Sequence, residues 1–84
     1  PGILEVAGSY LVDDLDDYLH WGEGDKLPDV DTVSGLLMTW LGRPPQAQES
    51  FTYHGRIKFT VLAVKGRAAT LVRVEYPHEG SKVS

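Results

Sequence analysis

Apolar residues recur along this chain with two different periods. Over residues 11–19, Leu11, Leu15, Tyr18 and Leu19 fall at spacings of three and four, which predicts an amphipathic helix. The same rhythm returns, more clearly, in Val33, Leu36, Leu37, Trp40 and Leu41. In the carboxyl half the period drops to two. Phe51 and Tyr53, then Ile57, Phe59 and Val61, then Val72, Val74 and Tyr76 alternate with other residues as half-buried strands do. A further short strand is read at Ile3 to Ala7, ending at Gly8, where the chain can turn.

Local signals punctuate these elements. Asp13 is placed to cap the first helix, and the acids around it suit the positive end of the helix dipole. The run from His20 to Asp31, rich in Gly, Pro and acids, has neither period and reads as a loop. Thr32 is placed to cap the second helix, and Gly42 followed by Pro44-Pro45 to end it. Gly35 disfavours that helix by about 0.8–1 kcal/mol relative to Ala, which suggests that another backbone approaches there. His54-Gly55 and Lys65-Gly66 suit hairpin turns between three antiparallel strands. The predicted fold is therefore α+β: two helices packed on one face of a small, mainly antiparallel sheet, in the order β-α-α-β-β-β.

Composition narrows the function. The 84 residues, 42% hydrophobic and 24% charged, suffice for one core and not two. No run approaches the roughly 18 apolar residues of a membrane-crossing helix, so no direct membrane insertion of this fragment is expected. The start at Pro1-Gly2 without Met suggests a piece of a longer protein; residues 1–2 are read as a remnant or linker, 3–76 as the domain and 77–84 as a polar, frayed tail. The absence of Cys excludes disulfides, thiolate nucleophiles and Cys-ligated metals. A net charge of −4 argues against nucleic acid as a partner.

Few residues suggest chemistry. Asp13, Asp14 and Asp17, with Asp16 beside them, lie within about one helical turn and are candidate ligands for a divalent cation. Such an ion prefers more oxygens than a helix surface offers, and Glu23, Asp25, Asp29 and Asp31 would have to fold back to complete a site. Helix-start acids are the simpler reading. His20, His54 and His78 lack the spacing of a zinc site, and Ser9, Ser34 and Ser50 lack a nucleophile elbow. No catalytic residue is nominated. Trp21, in the loop, suits either an interface anchor or core filling, whereas Trp40 lies on the apolar helix stripe. Acids dominate the amino half, while Arg43, Arg56, Lys58, Arg67 and Arg73 lie in the carboxyl half, an asymmetry that suits head-to-tail or reciprocal pairing, with a solvated surface as the simpler reading.

The succession Val6-Ala7-Gly8, Asp13-Asp14-Leu15, Thr32-Val33-Ser34-Gly35, Leu41-Gly42-Arg43-Pro44-Pro45, Tyr53-His54-Gly55, Phe59-Thr60-Val61 and Val72-Arg73-Val74 resembles the CorC/HlyC transporter-associated domain. Two positions depart from the family's pattern. Ala7 replaces a common acid, and Gln48 stands where a Gly usually follows the Pro, at the turn leading into the sheet. The resemblance implies a non-enzymatic accessory domain of a bacterial membrane protein with a CBS pair, associated with magnesium or cobalt transport; some relatives are labelled haemolysins. It implies a place on the cytoplasmic face of the inner membrane, with the parent protein's other domains and a second copy of the chain as partners. No cofactor is expected. Similarity to part of flavin-binding oxidase domains leaves a flavin or adenine-nucleotide module as one alternative, and weak divalent-cation sensing as another. The chain contains no dinucleotide fingerprint.

Overall fold

A computed structural model describes residues 2–19, 29–53 and 55–76. Its elements follow the order β1 (Ile3–Ala7), α1 (Val12–Leu19), α2 (Val33–Leu41), β2 (Ser50–Tyr53), β3 (Ile57–Lys65) and β4 (Ala68–Glu75). The α+β fold is the predicted one. The strands form one antiparallel sheet in the order β1-β4-β3-β2, so the first strand closes the sheet as an edge beside the last.

Alternation decides which face is covered. Val6 opposes Val72, Val72 opposes Val61, and Val74 opposes Phe59, and all five side chains are buried. Leu15, Val33, Leu36 and Leu37 complete the core from the helices and are almost wholly shielded from solvent. Each such burial is worth about 1.5–3 kcal/mol. Trp40 is half-buried on this core. Its ring stacks on Phe51 at 4.8 Å and on Tyr53 at 5.0 Å and meets the edge of Phe59 at 5.3 Å, tying α2 to the β2–β3 hairpin.

The first helix is rotated from its predicted setting. Val12, Leu15 and Leu19 face the core, whereas Leu11 is 48% and Tyr18 47% exposed. Nor does Asp13 cap it. Leu11 accepts the first helical bond, from Leu15, which leaves Asp13 and Asp14 in the first turn. The acceptor at this end comes from elsewhere: the Asp31 carbonyl takes the Val12 N–H at 2.8 Å, and Leu11 bridges to Thr32. A local reading could not anticipate a bond made by the returning chain. The second helix matches its signals, with Thr32 Oγ1 accepting from the Gly35 N–H at 3.2 Å and Gly42 in the left-handed conformation.

One of the glycine expectations changes place. A Cβ on Gly35 would make only ordinary contact with Thr32 and Val30, so no backbone crowds it. At Gly8, whose φ is ordinary, a Cβ would lie 1.7 Å from the Ala69 carbonyl oxygen. Gly8 does lie in a turn, closed by the Tyr10 N–H on the Ala7 carbonyl at 3.0 Å, and the close approach expected at Gly35 is found here as well. The hairpin glycines behave as predicted, with φ of 67° at Gly55 and 62° at Gly66.

At the entrance to the sheet Gln48 is left-handed, with φ 71°. Its N–H bonds the Val61 carbonyl at 2.7 Å while Glu49 accepts from the Val61 N–H, so two residues oppose one, a bulge whose first position usually takes glycine. Arg43 holds the turn by pairing both of its terminal nitrogens with the Glu49 carboxylate, which also accepts from the Gln46 N–H at 3.0 Å. That clamp keeps the Glu49 carboxyl below its ordinary pKa, through Arg43 first and the Gln46 amide second.

Candidate functional site

The four aspartates singled out in the first helix lie on its solvent side. Asp13, Asp14, Asp16 and Asp17 are exposed. Asp14 and Asp17 surround Tyr10 together with Tyr18; partial burial, then Tyr18 and these carboxylates, raise the Tyr10 hydroxyl above its ordinary pKa. Asp31 is tied by its backbone to the start of this helix, yet among the described residues no three ligating side chains converge on one point. Among the described residues Asp13, Asp14 and Asp17 offer a negative surface. Trp21, His20, His54, His78, Glu23 and Asp25 lie outside the described residues.

A concavity among the described residues lies elsewhere, where β1 ends, α2 begins and the β3–β4 hairpin passes beneath. It is an open groove of about 520 Å³ lined by small residues, Gly8, Ser9, Ser34, Gly35, Ala69 and Thr70 among them. Close packing explains their size. Gly8 donates to the Thr70 carbonyl at 3.1 Å and accepts from Ser34 at 2.9 Å, and the Ser34 hydroxyl accepts from the Ala69 N–H at 3.1 Å. These bonds lock the helix start to the hairpin.

The same bonds limit the chemistry of the groove. The first four amides of α2 are all occupied: Val33 bonds Tyr10, Ser34 bonds Gly8, Gly35 bonds the Thr32 hydroxyl and Leu36 bonds the Thr32 carbonyl. A phosphate arriving there would find none of the free donors that make helix starts anion sites. Ser34 is held as a structural acceptor, while Ser9 and Ser50 are exposed. The sequence reading missed this groove because its residues are distant along the chain; only the unbranched small residues at 8, 34 and 69 hinted at it.

The opposite face of the sheet carries the remaining organised chemistry. Arg73 reaches across to Glu5 at 3.1 Å, Lys58 stands beside Glu75 in the register, and Leu71, 37% exposed, lies near Ala7 and Ala63. Neither described helix covers these residues.

Comparison with known proteins places this arrangement. A 73-residue stretch is 38% identical to Hemolysin C of Brachyspira hyodysenteriae, covering 81% of this chain and 27% of that protein, so the chain spans about a quarter of its curated relative. Among solved structures, an Mg2+ and Co2+ transporter (CorC) associated region from Neisseria meningitidis superposes with a TM-score of 0.72 at 19% identity, covering 90% of each chain. The CorC_HlyC domain of a Xylella fastidiosa hemolysin, solved with Mg++ and Mn++, gives 0.73 at 17% identity over 92% of this chain and 90% of that one. At these identities the likeness is one of fold. The family profile described as a transporter associated domain matches residues 1–78, and this chain belongs to the CorC_HlyC family.

Proposed function

We propose that the chain is a non-catalytic regulatory domain of a bacterial membrane transporter of divalent cations, of the magnesium and cobalt type. It would lie on the cytoplasmic face and act through contacts with the other domains of its parent protein and with a second copy of itself. The observation that carries this reading is the family match across residues 1–78. The transporter-associated Neisseria relative speaks for the cation class. In keeping with a non-catalytic role, the Ser34 hydroxyl is committed to the Ala69 N–H.

The test is cobalt or magnesium flux in cells carrying the parent protein with and without residues 3–76. A change in flux at unchanged membrane abundance is expected; unchanged flux would overturn the reading.

Cation sensing is a second reading, favoured by the Xylella relative solved with Mg++ and Mn++. Asp13, Asp14 and Asp17 would bind such an ion weakly, since water must supply most of its ligands. Magnesium should then raise the melting temperature of the chain, and the rise should vanish in Asp13→Asn with Asp17→Asn. A flat titration would remove it. Flavin or adenine nucleotide as a ligand has less support, because the α2 amides are already bonded.

A further inference from the structure

The open face of the sheet has a charge pattern that selects one way of pairing with itself. Three rows of outward residues run across it. One row holds Ile3, Glu75, Lys58 and Thr52; the next holds Glu5, Arg73, Thr60 and Ser50; the third holds Ala7, Leu71 and Ala63. Leu62 is the extra residue of a bulge between Val61 and Ala63, and joins the third row. Glu5 and Arg73 satisfy each other, whereas Lys58 and Glu75, although register partners, make no ion pair with each other. The face thus carries an apolar strip at one end and, two rows away at the other end, one acid and one base left for another molecule.

Consider two copies meeting through this face. A two-fold axis across the strands through the middle row would set Arg73 against Arg73 and Glu5 against Glu5, a repulsive arrangement, and one between the first two rows, which sets Glu75 against Arg73, would leave the apolar strip uncovered. An axis along the strands, between β3 and β4, exchanges those two strands. Glu75 then faces the second copy's Lys58, twice by symmetry, while Leu71 faces the second copy's Ala63, and no like charges meet. Sheets packed in this aligned manner sit about 10 Å apart, within reach of such side chains. Four strands of this length present on the order of 500 Å² per copy, about 1,000 Å² for the pair, at the lower edge of specific interfaces.

We infer that the outer sheet face, from Leu71 at one end to Lys58 and Glu75 at the other, is the surface through which two copies of this domain pair, about an axis running along β3 and β4. The inference rests on the regulatory reading above and gives that reading its self-contact. Pairing is weak, as the area requires, and becomes effective when the parent protein holds two copies close together.

The test is sedimentation equilibrium of the 84-residue chain from about 10 µM to about 1 mM. A reversible monomer–dimer equilibrium is expected. Leu71→Glu should remain monomeric throughout, and Lys58→Glu or Glu75→Lys alone should weaken pairing at least about tenfold. An equimolar mixture of Lys58→Glu and Glu75→Lys should pair again, because each contact between the two variants is attractive although each variant alone repels itself. Circular dichroism of every variant confirms that it is folded. A wild-type monomer at the highest concentration, a Leu71→Glu variant that still pairs, or a mixture no tighter than its components would each overturn the inference. None of those results touches the flux measurement that tests the regulatory reading.

Discussion

The two faces of the sheet share one backbone and serve different ends. Val72 and Leu71 are neighbours on β4, yet Val72 is wholly buried against the helices while Leu71 is 37% exposed on the other side. On the inner face, apolar rows meet across three strands with helices above them. On the outer face, charges alternate and an apolar strip occupies one end. The difference teaches that the inner rows specify the fold, and that the outer rows are left out of the packing that holds it together.

The inner face should be the easier to break. Phe59→Ala removes a fully buried ring that also meets Trp40, and a loss of about 3–5 kcal/mol in urea unfolding is expected. Gly8→Ala comes next. At a site with ordinary φ the substitution would normally stabilise by about 0.4–1 kcal/mol. Here the new Cβ would lie 1.7 Å from the Ala69 oxygen, so a loss of about 3 kcal/mol is expected instead, the upper end of the overpacking range. Amide exchange should quicken at Ser34 and Ala69 in that variant.

Smaller effects sharpen the boundary between the faces at the bulge. Gln48→Gly should stabilise by about 1 kcal/mol, because a left-handed residue with a Cβ is disfavoured by roughly 1–2 kcal/mol and glycine gives back part of that in chain entropy. The least effect concerns acid. Glu49 has a folded pKa below its unfolded one, so its contribution is present above the unfolded value and is lost as pH falls through the folded value. The melting temperature of the wild type should therefore fall more steeply than that of Glu49→Gln below the usual carboxylate range, and the two should converge at the acid end.

What was legible in the sequence follows from how local each signal is. Periods of 3.6 and 2 reported the element order, the inner rows and the stripe from Val33 to Trp40, since each depends on near neighbours. Gln48 was legible by contrast, as a residue standing where the family's pattern carries glycine. Long-range contacts were not. Asp13 looked like a cap, but the Asp31 carbonyl supplies the acceptor and the helix starts two residues earlier than such a cap would place it, with Val12 inward and Leu11 outward. Gly8 was read as a turn, which it is, but nothing near it in the chain announces the Ala69 carbonyl that also requires glycine there. The groove and the outer charge rows are likewise products of register, and residue spacing alone carries no register.

The distinction between the faces is tested most directly by the same substitution at the two neighbouring positions. Val72→Thr and Leu71→Thr should be unfolded in urea at low micromolar concentration, where pairing does not contribute. Val72→Thr should lose about 1–3 kcal/mol, from a hydroxyl buried without a partner. Leu71→Thr should stay within about 0.5 kcal/mol of the wild type. Equal losses at the two positions would contradict the account.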